Sequence, residues 1–205
     1  PTEEAQSEPP PVEISFSDLA SLDECGHRYR LGTVFGFQQE LALELGYGKA
    51  IHHVLRHLAE RVRETGVIPT GDDLEHILAD EFYLPYANVP SFIRMQQAAR
   101  SLLRLYAERH AAELHRLWAT ERPFELHLPG AIVTGRADVV LDLEENRPGA
   151  LALVDYKSAN DPRRAERYEL QLRVYAAAGR AEGLTIAAAW LHELREGSRH
   201  EVDIG

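Results

Sequence analysis

At 205 residues, 44% apolar and 27% charged, the chain has the length and composition of one globular domain, and no run of about 18 apolar residues offers a membrane span. With 33 acidic against 22 basic residues the formal charge is −11, which excludes a bulk electrostatic grip on nucleic acid but not a local one. The single cysteine, Cys25, excludes an internal disulfide and any Cys-built zinc or iron–sulfur site within the chain, and is compatible with a reducing, cytoplasmic location.

Residues 1–13, PTEEAQSEPPPVE, are acidic and proline-rich and read as a disordered linker, with the folded domain expected over 14–205. They lack the basic start and apolar stretch of a signal peptide, and the missing initiator Met points to a piece of a longer chain. Ser17 is the expected N-cap of a short helix, with Asp18 in its first turn. From about 44 to 65 the apolar residues Ile51, Val54, Leu55, Leu58, Ala59 and Val62 recur at helical spacing, and Gly66 is a natural stop. A second helix is predicted from Asp72 to near Phe82, then a loop marked by Pro85 and Pro90, then a long helix over about 91–118.

The character changes at Phe124. Residues Phe124 to Leu128 alternate with period two, as a half-buried strand does, and Pro129-Gly130 is turn chemistry. Ala131 to Leu143 reads as a second strand, Glu144 to Gly149 as a turn, and Leu151 to Lys157 as a third strand. A helix is expected over Tyr168 to Glu182, then an apolar strand over Ile186 to Leu194 and a last short strand after Glu196-Gly197. The order predicts an α/β domain with a helical N-terminal part.

The third strand carries chemistry at its end. Alternate side chains share a face, so Asp155 and Lys157 point one way and Tyr156 the other. Their side chains start about 6.6–7 Å apart, which leaves room for a reacting group, although a mutual ion pair satisfies the same residues. Of the basic residues only Lys49 and Lys157 are lysines, so Lys157 departs from an arginine default. A compact ammonium fits beside a reacting water where a guanidinium fork does not, although Lys49 shows that lysine also occurs without such a role. In the preceding strand, Gly135-Arg136-Ala137-Asp138 sets a second carboxylate among apolar residues. Paired with its neighbour, that strand brings Asp138 to Asp155. Two close carboxylates repel unless a cation lies between them, and hard oxygen ligands suit Mg²⁺ or Mn²⁺.

Three further positions can reach such a site. On the 44–65 helix His53 lies away from the apolar stripe and is expected to face solvent. His52 lies at the stripe's edge, as a ligand or a structural group, and Gly48 one turn earlier allows a close approach. On the helix after the third strand, Gln171 and Tyr175 are neighbours, flanking a stripe of Leu170, Val174 and Ala178. They form either a polar helix edge or a pair reaching over the strand ends.

Taken in order, Gly48-x-x-Ile51-His52, Gly135-Arg136-Ala137-Asp138, Asp155-Tyr156-Lys157 and Gln171-x-x-x-Tyr175 resemble the motifs of the PD-(D/E)XK nuclease superfamily, in its RecB-like branch. The resemblance implies a restriction-endonuclease-like core, a mixed sheet flanked by helices, that cleaves DNA phosphodiesters with Mg²⁺ or Mn²⁺. It implies that His52, Asp138, Asp155 and the backbone carbonyl of Tyr156 ligate the metal, that Lys157 steadies the transition state, and that Gln171 and Tyr175 lie beside the site and the DNA path. In some members a cysteine near the start joins three more near the end in an iron–sulfur cluster. Here Cys25 stands without such partners, so no cluster is expected and Cys25 is read as a small buried group. RecB-like domains often end helicase–nuclease chains, which implies DNA and a helicase domain as partners in repair or recombination. The alternative is a catalytically silent DNA-binding or partner-contact module.

Overall fold

The computed structural model describes residues 10–37, 43–143, 149–158 and 164–205, and of residues 43–45 the backbone alone. The expected linker up to Pro9 and the turn Glu144 to Pro148 lie outside them. Among the described residues no helix is long and apolar enough to cross a membrane. Strand β1 (Val12–Ser15) leads into helices α1 (Phe16–Glu24) and α2 (Gly26–Tyr29). Helices α3 (Leu43–Thr65), α4 (Asp72–Glu81) and α5 (Val89–Arg109) follow, then strands β2 (Leu117–Leu128), β3 (Ala131–Asp142) and β4 (Ala150–Lys157). Helix α6 (Ala165–Ala181) and strands β5 (Thr185–Glu193) and β6 (Ser198–Glu201) complete the chain.

The strands form one mixed sheet in the order β1-β3-β4-β5-β6, with β2 on the other edge of β3. β3 runs antiparallel to β2 and β4, while β1–β3 and β4–β5 are parallel. The α6 crossover between β4 and β5 supplies the long connection that a parallel pair needs. The side chains of β3 and β4 alternate between two cores. Val139, Leu141, Val154 and Tyr156 pack against α3, α4 and α5. Val140, Leu151 and Leu153 pack against α1 and α6. β4 is therefore buried on both faces, which is why it reads as a continuous apolar run rather than an alternating one.

Several boundaries differ from the sequence expectation. β1 begins at Val12, within the stretch read as linker, because its backbone pairs with Ala131 to Thr134. The N-cap is Ser15, not Ser17. The Ser15 hydroxyl accepts from the Asp18 amide at 3.0 Å and donates to the Asp18 carboxylate at 2.8 Å. α5 ends at Arg109, well short of 118. Ala111, Leu114 and Leu117 are buried, but from a 3₁₀ turn and the first residue of β2 rather than from a continued helix. Periodicity alone does not separate those solutions.

Candidate active site

The site forms where β3 runs short of strand partners. β2 covers one edge of β3 over most of its length. The other edge is shared: β1 pairs with Ala131–Thr134 and β4 with Val139–Asp142, which leaves Gly135 to Asp138 between them. Buried backbone amides left without a strand need other partners, and side chains from neighbouring elements fill this opening. The Arg136 amide bonds the Tyr175 hydroxyl. The carboxylate of Asp138 takes the place of the next ladder bond, its Oδ2 accepting from the Tyr156 amide at 2.6 Å.

Asp138 and Asp155 stand one residue beyond the last antiparallel pair, Val139 with Val154. They are cross-strand neighbours at the point where the two strands part. Helix α3 brings His52, whose Nδ1 lies 3.0 Å from Asp138 Oδ1. Gly48, one turn earlier, lets α3 approach the end of β4, for a Cβ there would lie 2.8 Å from Ser158 Oγ. Asp155 is 3% exposed. Its nearest charge is the ammonium of Lys157, in direct contact with Oδ2. Lys157 also donates to Gln171 Oε1 at 3.2 Å and lies 4.2 Å from the ring centroid of Tyr168. Gln171 Nε2 in turn donates to the Tyr175 hydroxyl at 2.9 Å. The structure thus brings His52, Asp138, Asp155, Tyr156, Lys157, Gln171 and Tyr175 to one end of the sheet. The ion pair and the gathered site, alternatives in the sequence, are both present.

The electrostatics follow from burial and from the two carboxylates. Burial pushes the Asp155 carboxyl up to about 6, with Lys157 pulling it down and Asp138 pushing it further up. Burial works against a charged His52, yet Asp138 and then Asp155 carry its pKa above the usual value. Burial likewise opposes the charge on Lys157, but Asp155 outweighs it and holds the ammonium above its ordinary pKa. Burial and the neighbouring Asp138 disfavour a charged Asp155 even with the lysine beside it. A divalent cation would favour that charge, and the two carboxylates, the His52 imidazole and the backbone of Tyr156 are the groups that could hold it.

Two features of the site were not read from the sequence. Tyr168 lies three residues before Gln171 and seven before Tyr175, a helical stripe that could have been noticed. Behind the site, Tyr156 turns away from Asp155 and bonds the hydroxyl of Tyr106 at 2.6 Å in full burial. Buried His192 packs against both rings, tilted on Tyr106 and edge-on to Tyr156. Two expectations fail. Leu170 is 51% exposed and Val174 only partly buried, whereas Ala178 is buried as expected; the buried face of α6 is Leu172, Tyr175, Ala176, Ala178 and Gly179, because the Tyr175 ring enters the core between Phe16 and Phe124. Cys25 is exposed, its sulfur accepting from the Arg28 amide at 3.4 Å as the cap of α2. His53 lies off the apolar stripe as expected, but it is half-buried and bonded to Glu81 of α4 at 2.8 Å rather than free in solvent.

With these elements in place, the family comparison is decisive, for the model of the PD-(D/E)XK nuclease superfamily matches residues 13–201. The chain belongs to the PD-(D/E)XK nuclease superfamily. No curated protein sequence matches it. A crystal structure of a provisionally assigned exonuclease from Eubacterium rectale is similar in fold, with a TM-score of 0.54 and 16% sequence identity over 93% of this chain and 73% of that one. The restriction-endonuclease-like architecture of this PD-(D/E)XK member is thus a mixed sheet with α3, α4 and α5 on one face and α1 and α6 on the other.

Proposed function

We propose that this PD-(D/E)XK nuclease is a Mg²⁺-dependent deoxyribonuclease, an exonuclease acting together with a helicase motor in DNA repair or recombination. The observation that supports it most is the convergence of two chains of contacts on one strand end. His52 meets Asp138, which holds the Tyr156 amide, and Asp155 meets Lys157, which is steadied by Gln171. The helicase partner and the choice of exonuclease rest on the resemblance to RecB-like domains.

In this reading His52, Asp138, Asp155 and the Tyr156 carbonyl hold the cation. Bound there, Mg²⁺ or Mn²⁺ supplies positive charge to the phosphoryl oxygens and makes water a better nucleophile near neutral pH. Asp138, pinned at both oxygens, keeps its carboxylate fixed between α3 and β4. Lys157 presents a localised ammonium, held by Asp155 and Gln171, to the negative charge that builds on the phosphoryl oxygens in the transition state. In the reaction a water oxygen bonds to phosphorus as the bond to the leaving sugar oxygen breaks, the water giving up one proton and the leaving oxygen gaining one by way of solvent. Gln171 and Tyr175 border a groove of about 460 Å³ with Ser15, Ser17, Thr134 and Arg136. That groove offers hydroxyl and guanidinium donors to a strand backbone, with the carboxylates of Glu13 and Glu125 on its lining opposing them.

End-labelled linear and circular DNA, single- and double-stranded, incubated with Mg²⁺, test the proposal. Release of labelled ends from linear DNA, with circles left intact, is the expected result. Cleavage of circles would overturn the exonuclease assignment, and no Mg²⁺-dependent cleavage of any substrate would overturn the enzymatic one.

A further inference from the structure

A second group of ligating side chains lies outside the active centre, where α3 meets the end of α4. His53 and His57 are one helical turn apart on α3, with ring centroids 4.5 Å apart. Glu81, the last residue of α4, reaches both: its Oε2 lies 2.8 Å from His53 Nε2 and 3.3 Å from His57 Nε2. One ligand atom from each of the three residues falls within 4.8 Å of the other two. We infer that His53, His57 and Glu81 form a binding site for a divalent transition cation of the Zn²⁺ class, separate from the catalytic centre. Imidazole nitrogens select Zn²⁺ and its neighbours over Mg²⁺, and three protein ligands leave a coordination position for water. Successive helix residues diverge by about 100°. His52 therefore turns to Asp138 while His53 turns to Glu81, so the two sites occupy different sides of α3.

Arg56 sets the affinity of this site. Its Nη2 lies 3.1 Å from His53 Nδ1 and 3.4 Å from His57 Nε2, so the guanidinium already supplies positive charge to the cluster. A cation must displace it, because His57 cannot direct Nε2 to both. The Arg56 Nε is buried and makes no hydrogen bond among the described residues, which lowers the cost of moving the head group. A bound cation then ties α3 to α4 and stiffens the helix that carries His52.

Calorimetric titration and thermal unfolding with Zn²⁺ test this in an Asp155→Asn background, which weakens the other cation site. Zn²⁺ is expected to bind and to raise the melting temperature, with no comparable effect of Mg²⁺. Adding His57→Gln weakens Zn²⁺ binding at least tenfold, while adding Arg56→Ala tightens it several-fold. The opposite signs distinguish a site from general damage to the fold, which circular dichroism checks. Zn²⁺ binding that is absent, or unchanged by His57→Gln, would overturn the inference. Neither outcome bears on Mg²⁺-dependent cleavage, which is read separately.

Discussion

The ring of Tyr175 occupies the space that a side chain at Gly135 would need. A Cβ on residue 135 would lie 2.0 Å from Tyr175 Cε1 and 2.6 Å from its hydroxyl oxygen. The glycine of the Gly135–Asp138 motif and the tyrosine of the α6 motif are therefore one packing unit, although 40 positions apart in the sequence. Gly135→Ala is expected to destabilise the protein by about 1–3 kcal/mol, as overpacking does, and to impair cleavage by displacing Gln171 from Lys157. Urea unfolding of Gly135→Ala, Tyr175→Ala and the double variant gives the coupling directly. The double variant should lose less than the two singles together, and strict additivity would show that the ring and the glycine are independent.

Asp155 and Lys157 carry the chemistry in the proposed reaction. Asp155→Asn and Lys157→Met are each expected to lower Mg²⁺-dependent cleavage by at least about 100-fold, the scale on which loss of one electrostatic group acts. Both should retain native far-ultraviolet circular dichroism. Mn²⁺ should raise the melting temperature of the unaltered protein and do so much less in Asp155→Asn. Full activity in either variant contradicts the assigned roles.

The hydroxyl pair of Tyr106 and Tyr156 lies in full burial behind the site. Tyr106→Phe leaves the Tyr156 hydroxyl without this partner, at a cost of about 1–3 kcal/mol. Removing both hydroxyls should cost less than the sum of the single changes. Chemical denaturation measures this, and cleavage should change less than stability because neither hydroxyl faces Asp155.

His192 makes the fold sensitive to acid. It is 1% exposed, and burial and then the Arg199 guanidinium, which donates to its Nδ1 at 3.3 Å, press its pKa down to about 3. The unfolded chain takes up a proton near the ordinary histidine value, whereas the folded one stays neutral. Stability is therefore full above that value and is lost as pH falls toward about 3. Between pH 7 and pH 5 this group accounts for a loss of about 2 kcal/mol. His192→Gln keeps an acceptor for Arg199 and cannot titrate, so its melting temperature should fall less steeply over the same range. An equal slope would place the acid sensitivity elsewhere.

Much of the candidate site was legible in the order of residues. Strand parity alone sets Asp155 and Lys157 on one face and Tyr156 on the other, and helical periodicity alone separates His52 from His53. Those relations hold over a few residues of regular backbone, where geometry is local. The remainder is not local. The start of β1, the end of α5, the burial of Tyr175 and the exposure of Cys25 each depend on what packs against them from distant parts of the chain. So does the opening at Gly135 to Asp138, which exists because β1 and β4 share one edge of β3 and neither reaches across it. Sequence spacing determined which side chains could serve the site, and tertiary pairing decided that they meet there. A buried amide or carboxylate must find its partner wherever the fold supplies one.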